Sequence, residues 1–472
     1  MKKFQQIFHI DMNFLMMRHD LFKPYLEKIA AMGYNAVLWE VEDKIQWETC
    51  PECVHPEAFT KEDFAEILSY SRSLGLEPIP LLQTLGHGEY VMCHEEYAHL
   101  REVAEYSDCY CVSKPGVSNL LKSWISEYLD LFGDISEFHL GGDEAYSFGQ
   151  CPVCAEEIRK HDTLSLAMAH YALITEELIR AGVRPNIWFD MLIHHPEEVK
   201  SHLVLLKRFR IWDWHYNRTF ENPCTETLDM LQNKFALDVI PCSAARAWGD
   251  RVGCPAAHRA ENAAVTAKLA AERGLSGYCT TSWSVRLVDP FLQTHIMAAA
   301  PRMAAEPQGD FKAILKQSVC QQYGVSDAEK LIAAANLCST AFPLSAVHEL
   351  GICWDRTKTH TPVRHGWLKD SLTQKQDAWS DFDFAAAEAD LDRAEQLMKE
   401  CNAPEIWLDA VSFQKDLLDL SRAVLHSDPA GKEKLKKVRQ KTRLRYQVWQ
   451  EKLSAESCVN TLFSALEDLF SE

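Results

Sequence analysis

The chain has 472 residues, 47% of them hydrophobic, with 49 Lys and Arg against 68 Asp and Glu and a formal net charge of -19. That length exceeds one ordinary core and points to about two or three domains, or one large barrel with an added module. The negative charge argues against nucleic acid or an anionic membrane as the main partner and serves mostly for solubility.

The first residues include Lys2 and Lys3, but Gln5, Gln6, His9, Asp11 and Asn13 interrupt any apolar run of signal-peptide type. No transmembrane stretch is expected, and the expected location is cytoplasmic. In that setting the sixteen cysteines read as reduced thiols or metal ligands rather than a disulfide framework. Through the first two thirds, short apolar runs alternate with longer amphipathic ones. Strands are expected at 6–12, 36–41, 77–83, 137–141, 186–190, 209–213, 237–243 and 277–282, with helices at 22–32, 61–74, 120–132, 167–181, 225–234 and 257–273 between them. Eight such units predict an α/β fold, a (β/α)8 TIM barrel over residues 1–312. The competing doubly wound sheet lacks its glycine-rich dinucleotide turn. Beyond about residue 310 the strand signal stops, and 311–323, 327–339, 384–401, 406–427 and 432–453 predict a C-terminal α-helical domain over 313–472. Its basic run at 432–445 reads as a solvated helix face, and its amphipathic faces suggest a homodimer.

The expected strands end in polar or aromatic residues: Asp11, Glu42 and Asp43, Gly86 and His87, Asp143 and Glu144, Trp188 and Asp190, Trp212 to Trp214, and Trp283. In a barrel of this type functional groups gather at the C-terminal ends of the strands. The fourth end, Phe138-His139-Leu140-Gly141-Gly142-Asp143-Glu144-Ala145, is the most informative. A strand that stops on Gly-Gly can bend sharply, so both carboxylates can turn toward one cleft and take up acid/base chemistry. By residue type alone, Asp-Glu is equally at home in a solvated loop or a helix cap. Cys50-Pro51-Glu52-Cys53 follows the second strand and Cys151-Pro152-Val153-Cys154 the fourth. Cys50, Cys53, Cys151 and Cys154 together would complete a closed structural zinc site, the alternatives being unmetallated thiols or a redox pair. Cys109 and Cys111 form a third, less diagnostic pair.

His139-Leu140-Gly141-Gly142-Asp143-Glu144 resembles the His-x-Gly-Gly-Asp-Glu signature of family 20 glycoside hydrolases, the β-N-acetylhexosaminidases. Further stretches are similar to the hexosaminidase D-like branch in the same order: Phe8-His9-Ile10-Asp11, Glu40-Val41-Glu42-Asp43, Ile79 through His87, Ala98 through Val103, and Ile211-Trp212-Asp213. The resemblance covers most of residues 1–300 and leaves the helical tail outside. It implies an exo-acting, retaining glycosidase that removes a terminal GlcNAc or GalNAc from an oligosaccharide or glycoconjugate. The substrate's own 2-acetamido oxygen would be the nucleophile, through an oxazolinium intermediate and with no cofactor for the chemistry. It makes Glu144 the general acid/base and Asp143 the partner of the acetamido N–H. Trp188, Trp212 and Trp283 would line the sugar subsite beside Asp190 and Asp213, with His87, Glu42 and Asp43 orienting the acids.

Three positions depart from that pattern. Gln6 stands where many family members carry a sugar-binding Arg, Val285 replaces the carboxylate of a Trp-Gly-Glu element, and the tyrosine donor to the acetamido oxygen is unassigned, with Tyr216 and Tyr278 as candidates. The competing readings are a sugar-binding barrel without activity and a hydrolase whose zinc does the chemistry.

Overall fold

The computed structural model describes residues 4–13, 16–247, 250, 256–283, 289–342, 352–353, 363–364, 379, 381–449, 451, 453, 455–456, 459–460, 463 and 467. Eight parallel strands, β1 (Gln5–Asp11), β2 (Ala36–Glu40), β3 (Glu77–Leu81), β4 (Glu137–His139), β5 (Arg184–Trp188), β6 (Arg210–Trp214), β7 (Asp238–Arg246) and β8 (Gly277–Ser282), pair in sequence order and close on themselves. Closure is made where Phe8 of β1 pairs with Thr280 of β8. This is the (β/α)8 barrel expected from the alternating runs.

The two-residue period of a strand sorts the side chains. Ile7, Ala36, Leu38, Ile79, Leu81, Trp188, Trp212, Ile240, Cys242 and Cys279 fill the barrel interior. Their neighbours Phe8, Val37, Trp39, Phe138, Ile187, Ile211 and Val239 belong to the larger cluster under the surrounding helices. Burial on both faces explains why these strands read as nearly continuous apolar runs. The helices follow their local signals. Thr60 caps Lys61–Ser73 by accepting from Asp63 N–H, and Asp162 caps Thr163–Ile174 through Ser165 N–H. The single helix expected at 167–181 is broken at Thr175, whose hydroxyl donates back to the Tyr171 carbonyl (2.6 Å).

The N-terminal end of the barrel is closed by ions. Glu137 accepts from Arg210 Nη1 (2.6 and 2.8 Å), from Gln5 Nε2 (2.9 Å) and from Asn186 Nδ2 (2.9 Å). Arg210 also pairs with Asp238 (3.3 Å), which Arg184 reaches from outside. With every lone pair engaged, the buried charges are compensated.

After β8, helix Thr294–Ala305 packs on Ala256–Glu272. The helices Phe311–Tyr323, Ala328–Thr340, Phe384–Glu400, Glu405–Leu425 and Gly431–Trp449 follow. The sequence shows no strands there, yet Ile352–Cys353 and Val363–Arg364 form a two-residue antiparallel pair, too short to leave a periodic signal. Helix Gly431–Trp449 returns to the barrel, where Trp449 and Gln447 carbonyls accept from Arg18 (3.3 and 3.2 Å).

Removing one partner of a buried, fully bonded ion pair leaves an uncompensated charge. We expect Glu137→Ala to lower the stability of the barrel by roughly 3–5 kcal/mol in urea unfolding. A change under about 1 kcal/mol would show that Arg210 is neutralised by Asp238 alone.

Candidate active site

The C-terminal mouth is built on a close backbone contact between the loops after β3 and β4. A Cβ at Gly86 would overlap the Asp143 carbonyl oxygen and crowd the backbone of Ala145, so only glycine fits. Gly142, at φ +100°, lies under the Tyr171 hydroxyl and swings the chain so that Asp143 and Glu144 both face the mouth. Three non-glycine residues of the mouth, Glu42 (φ 41°), His87 (φ 52°) and Glu144 (φ 45°), adopt the left-handed conformation. Such strain is a feature of sites whose side chains must point against local preference.

His87 Nε2 lies 3.6 Å from Asp143 Oδ2 and 3.5 Å from Glu144 Oε2, bridging the two acids. Burial works against a charge on this imidazole, but Asp143, Glu89 and Glu144 outweigh it and hold its pKa well above the ordinary histidine value. Asp143 is buried whereas Glu144 is exposed, and Asp143 Oδ1 is a buried acceptor with no hydrogen bond among the described residues. Such an atom is a place for a ligand donor. Asp190 accepts from Trp214 Nε1 (2.8 Å), and its Oδ2 lies 3.5 Å from Glu144 N. Burial and the Asp143 charge push its carboxyl up to about 7.

The aromatic wall is Trp283, Tyr216 and Trp214. Trp283 Nε1 donates to the Tyr216 hydroxyl (2.6 Å), and Tyr216 stacks on Trp214 at 5.4 Å. All three are partly exposed. Trp188 and Trp212 are buried instead, packed around His139 at 4.3 and 4.9 Å as the floor beneath the mouth. Below Trp283, His9 pairs with Glu40 (2.9 Å), which also accepts from Gln83 (2.8 Å). Of this set, the inward position of each residue two beyond the last was the signal available in sequence.

Several expected site residues are turned elsewhere. Asp213 falls between the inward Trp212 and Trp214, and is held by Arg218 (2.5 Å), Thr227 (3.0 Å) and His215 (3.3 Å) in full burial. Asp43 is likewise out of phase and pairs with Lys44. Glu42 stays in phase: burial first, then the Glu40 charge, raises its carboxyl pKa well above the usual range, and Oε1 accepts from Asn13 Nδ2 (3.2 Å). Gln6 sits at the opposite end of β1, donating to the Gly33 carbonyl (2.7 Å) and accepting from Tyr278 (3.2 Å). At about 3.3 Å per residue, five residues from Asp11 put it about 17 Å from the mouth, and Tyr278 goes with it. Val285 lies outside the described residues. Cys50 and Cys53 do not join Cys151 and Cys154; the latter pair meets Cys111 and Glu102 instead.

Residues 15–235 match the model of glycosyl hydrolase family 20, catalytic domain. The chain is 31% identical over 177 residues to hexosaminidase D of Bos taurus, covering 36% of this chain and 51% of that protein. It is 30% identical over 194 residues to hexosaminidase D of Homo sapiens, covering 39% of each. The matched segments thus span 51% and 39% of the length of these relatives. The structure is similar to Flavobacterium johnsoniae chitobiase with a TM-score of 0.55 and 17% identity, over 97% of this chain and 78% of that one, a likeness of fold.

The raised pKa values of Asp190 and His87 have the same sign of consequence for stability. Asp190 binds its proton up to about pH 7 when folded but only to about pH 4 when unfolded, so stability falls as pH rises between those values. The His87 contribution is fully present below about pH 6.5 and is lost as pH climbs through the raised folded value. Asp190→Asn should remove up to about 1.4 kcal/mol per pH unit of slope between pH 4 and 7, and His87→Gln should flatten the region above it. Unfolding free energies from urea titrations at several pH values test this, and an unchanged slope in both variants counts against the assigned charges.

Proposed function

We propose, from the match of residues 15–235 to the family 20 glycosyl hydrolase catalytic domain, that this protein is an exo-acting retaining β-N-acetylhexosaminidase acting on terminal β-linked GlcNAc or GalNAc. The observation that carries the reading is the pair at the end of β4: a buried carboxylate with an unbonded oxygen, Asp143, next to an exposed one, Glu144, with His87 against both.

In this reading Asp143 Oδ1 accepts the substrate's acetamido N–H and turns the acetamido oxygen toward the anomeric carbon. That oxygen attacks C1, and the bond to the leaving glycosidic oxygen breaks as Glu144 protonates it. The cyclic oxazolinium is balanced by ionised Asp143. Glu144 then takes a proton from water, which opens the ring with overall retention. Tyr216 is the donor to the acetamido oxygen, because it stands at the mouth beside Trp283 while Tyr278 lies at the far end with Gln6. Trp283 and Trp214 meet the apolar face of the sugar. His87, with Nε2 at 3.6 Å from Asp143 Oδ2 and 3.5 Å from Glu144 Oε2, orients the two acids.

Turnover of an aryl β-N-acetylglucosaminide and the corresponding galactosaminide decides the matter. The intact protein should hydrolyse at least one, Glu144→Gln should lose about 10²–10⁴-fold in rate, and Tyr216→Phe should lose rate with its fold intact. No turnover of either sugar by intact protein would sink the reading. Binding without turnover would favour a sugar-binding barrel.

A further inference from the structure

Glu102, Cys111, Cys151 and Cys154 place one ligand atom each within 4.8 Å of all the others, in a largely buried pocket between two loops of the barrel mouth. Cys111 Sγ lies 3.6 Å from Cys151 Sγ and 3.8 Å from Cys154 Sγ, and Cys154 Sγ is 3.4 Å from Glu102 Oε2. A tetrahedral zinc ion with Zn–S near 2.3 Å and Zn–O near 2.0–2.2 Å has S···S edges of about 3.8 Å and S···O edges of about 3.5–3.6 Å. A disulfide would instead need about 2.05 Å between sulfurs. We propose that these four residues form a closed Cys3Glu structural zinc site that ties the loop after β3 to the loop after β4.

The surroundings are those of a built metal site. Glu102 is orientated by its other oxygen, Oε1, which accepts from Cys151 N–H (2.9 Å), leaving Oε2 toward the sulfurs. Cys154 N–H donates to Cys151 Sγ (3.4 Å), the usual backbone support of a Cys-x2-Cys turn, and Ser113 Oγ lies 3.0 Å from Cys154 Sγ. Glu102 and Cys111 are themselves brought together by antiparallel pairing of Arg101 with Tyr110, with Glu102 N–H on the Cys109 carbonyl (3.0 Å) and Cys111 N–H on the Leu100 carbonyl (2.9 Å). Three thiolates select a borderline-soft ion and four protein ligands leave no open position, so the ion is structural and not catalytic. On binding, the three thiols release their protons to solvent.

The site matters because of what the two loops hold. Between them run Asp108 and Ser147, joined at 2.7 Å, and Gly88 N–H on the Asp108 carbonyl (3.1 Å), next to His87. The ion would thus brace the loop of His87 against the loop of Asp143 and Glu144.

The test uses the full chain, reduced and stripped of metal, then given zinc or cobalt alone. We expect one equivalent of zinc to survive gel filtration, a visible cobalt spectrum of the tetrahedral thiolate type, and a raised melting temperature with little change in initial rate on any substrate turned over. Cys111→Ser and Glu102→Gln should lose the stoichiometric zinc, Cys50→Ser and Cys53→Ser should keep it, and Cys151→His, which substitutes one zinc ligand for another, should retain it and show that the site tolerates mutation without unfolding. Less than about a tenth of an equivalent in the reduced full chain, equal loss in the Cys50→Ser variant, or a Cys111–Cys151 cross-link in the purified protein would overturn the proposal. Metal content is read without substrate, so its failure is distinct from a failure of the glycosidase reading.

Discussion

The candidate site depends on one backbone contact, Gly86 against the Asp143 carbonyl. Because no side chain intervenes there, the loops after β3 and β4 approach closely enough for His87 to reach both carboxylates at 3.5 and 3.6 Å. The two acids differ in their surroundings: Asp143 is buried and Glu144 is exposed. The same two loops are also laced by Asp108, Ser147 and the Glu102–cysteine group.

The mouth is strained, and the barrel bears the strain. Left-handed Glu42, His87 and Glu144 each cost on the order of 1–3 kcal/mol, offset by a closed ring of strands with a filled interior and an ion-paired base. Polar demand is segregated along the barrel axis. Fully bonded charges close the N-terminal end, apolar side chains fill the middle, and partly bonded carboxylates and indoles occupy the C-terminal end. At that end Asp143 Oδ1 is a buried acceptor with no hydrogen bond among the described residues.

Much of this was legible in the sequence. The eight alternating runs predict the barrel, and the neighbours Asp143 and Glu144 after Gly141-Gly142 mark the mouth that holds the candidate site. Less legible was which strand-end residues face the mouth. Asp213 and Asp43 sit one residue out of phase, so the two-residue period turns them to Arg218 and Lys44. Trp188 and Trp212 are in phase but one layer too deep, and are buried as the floor. Gln6 and Tyr278 are in the right strands at the wrong end.

Sequence by itself determined the local features: strand and helix order, the caps, the glycine-permitted bend and the adjacency of two acids. These follow from periodicity and backbone preference within a few residues. Tertiary structure alone decided that Tyr216 stands by Trp283, that His87 bridges two acids from a different loop, and that Cys151 and Cys154 meet Cys111 and Glu102 rather than Cys50 and Cys53. Those pairings join residues some 40 to 70 positions apart, and only barrel closure, through strand register and the path of each loop, sets which of them face one another.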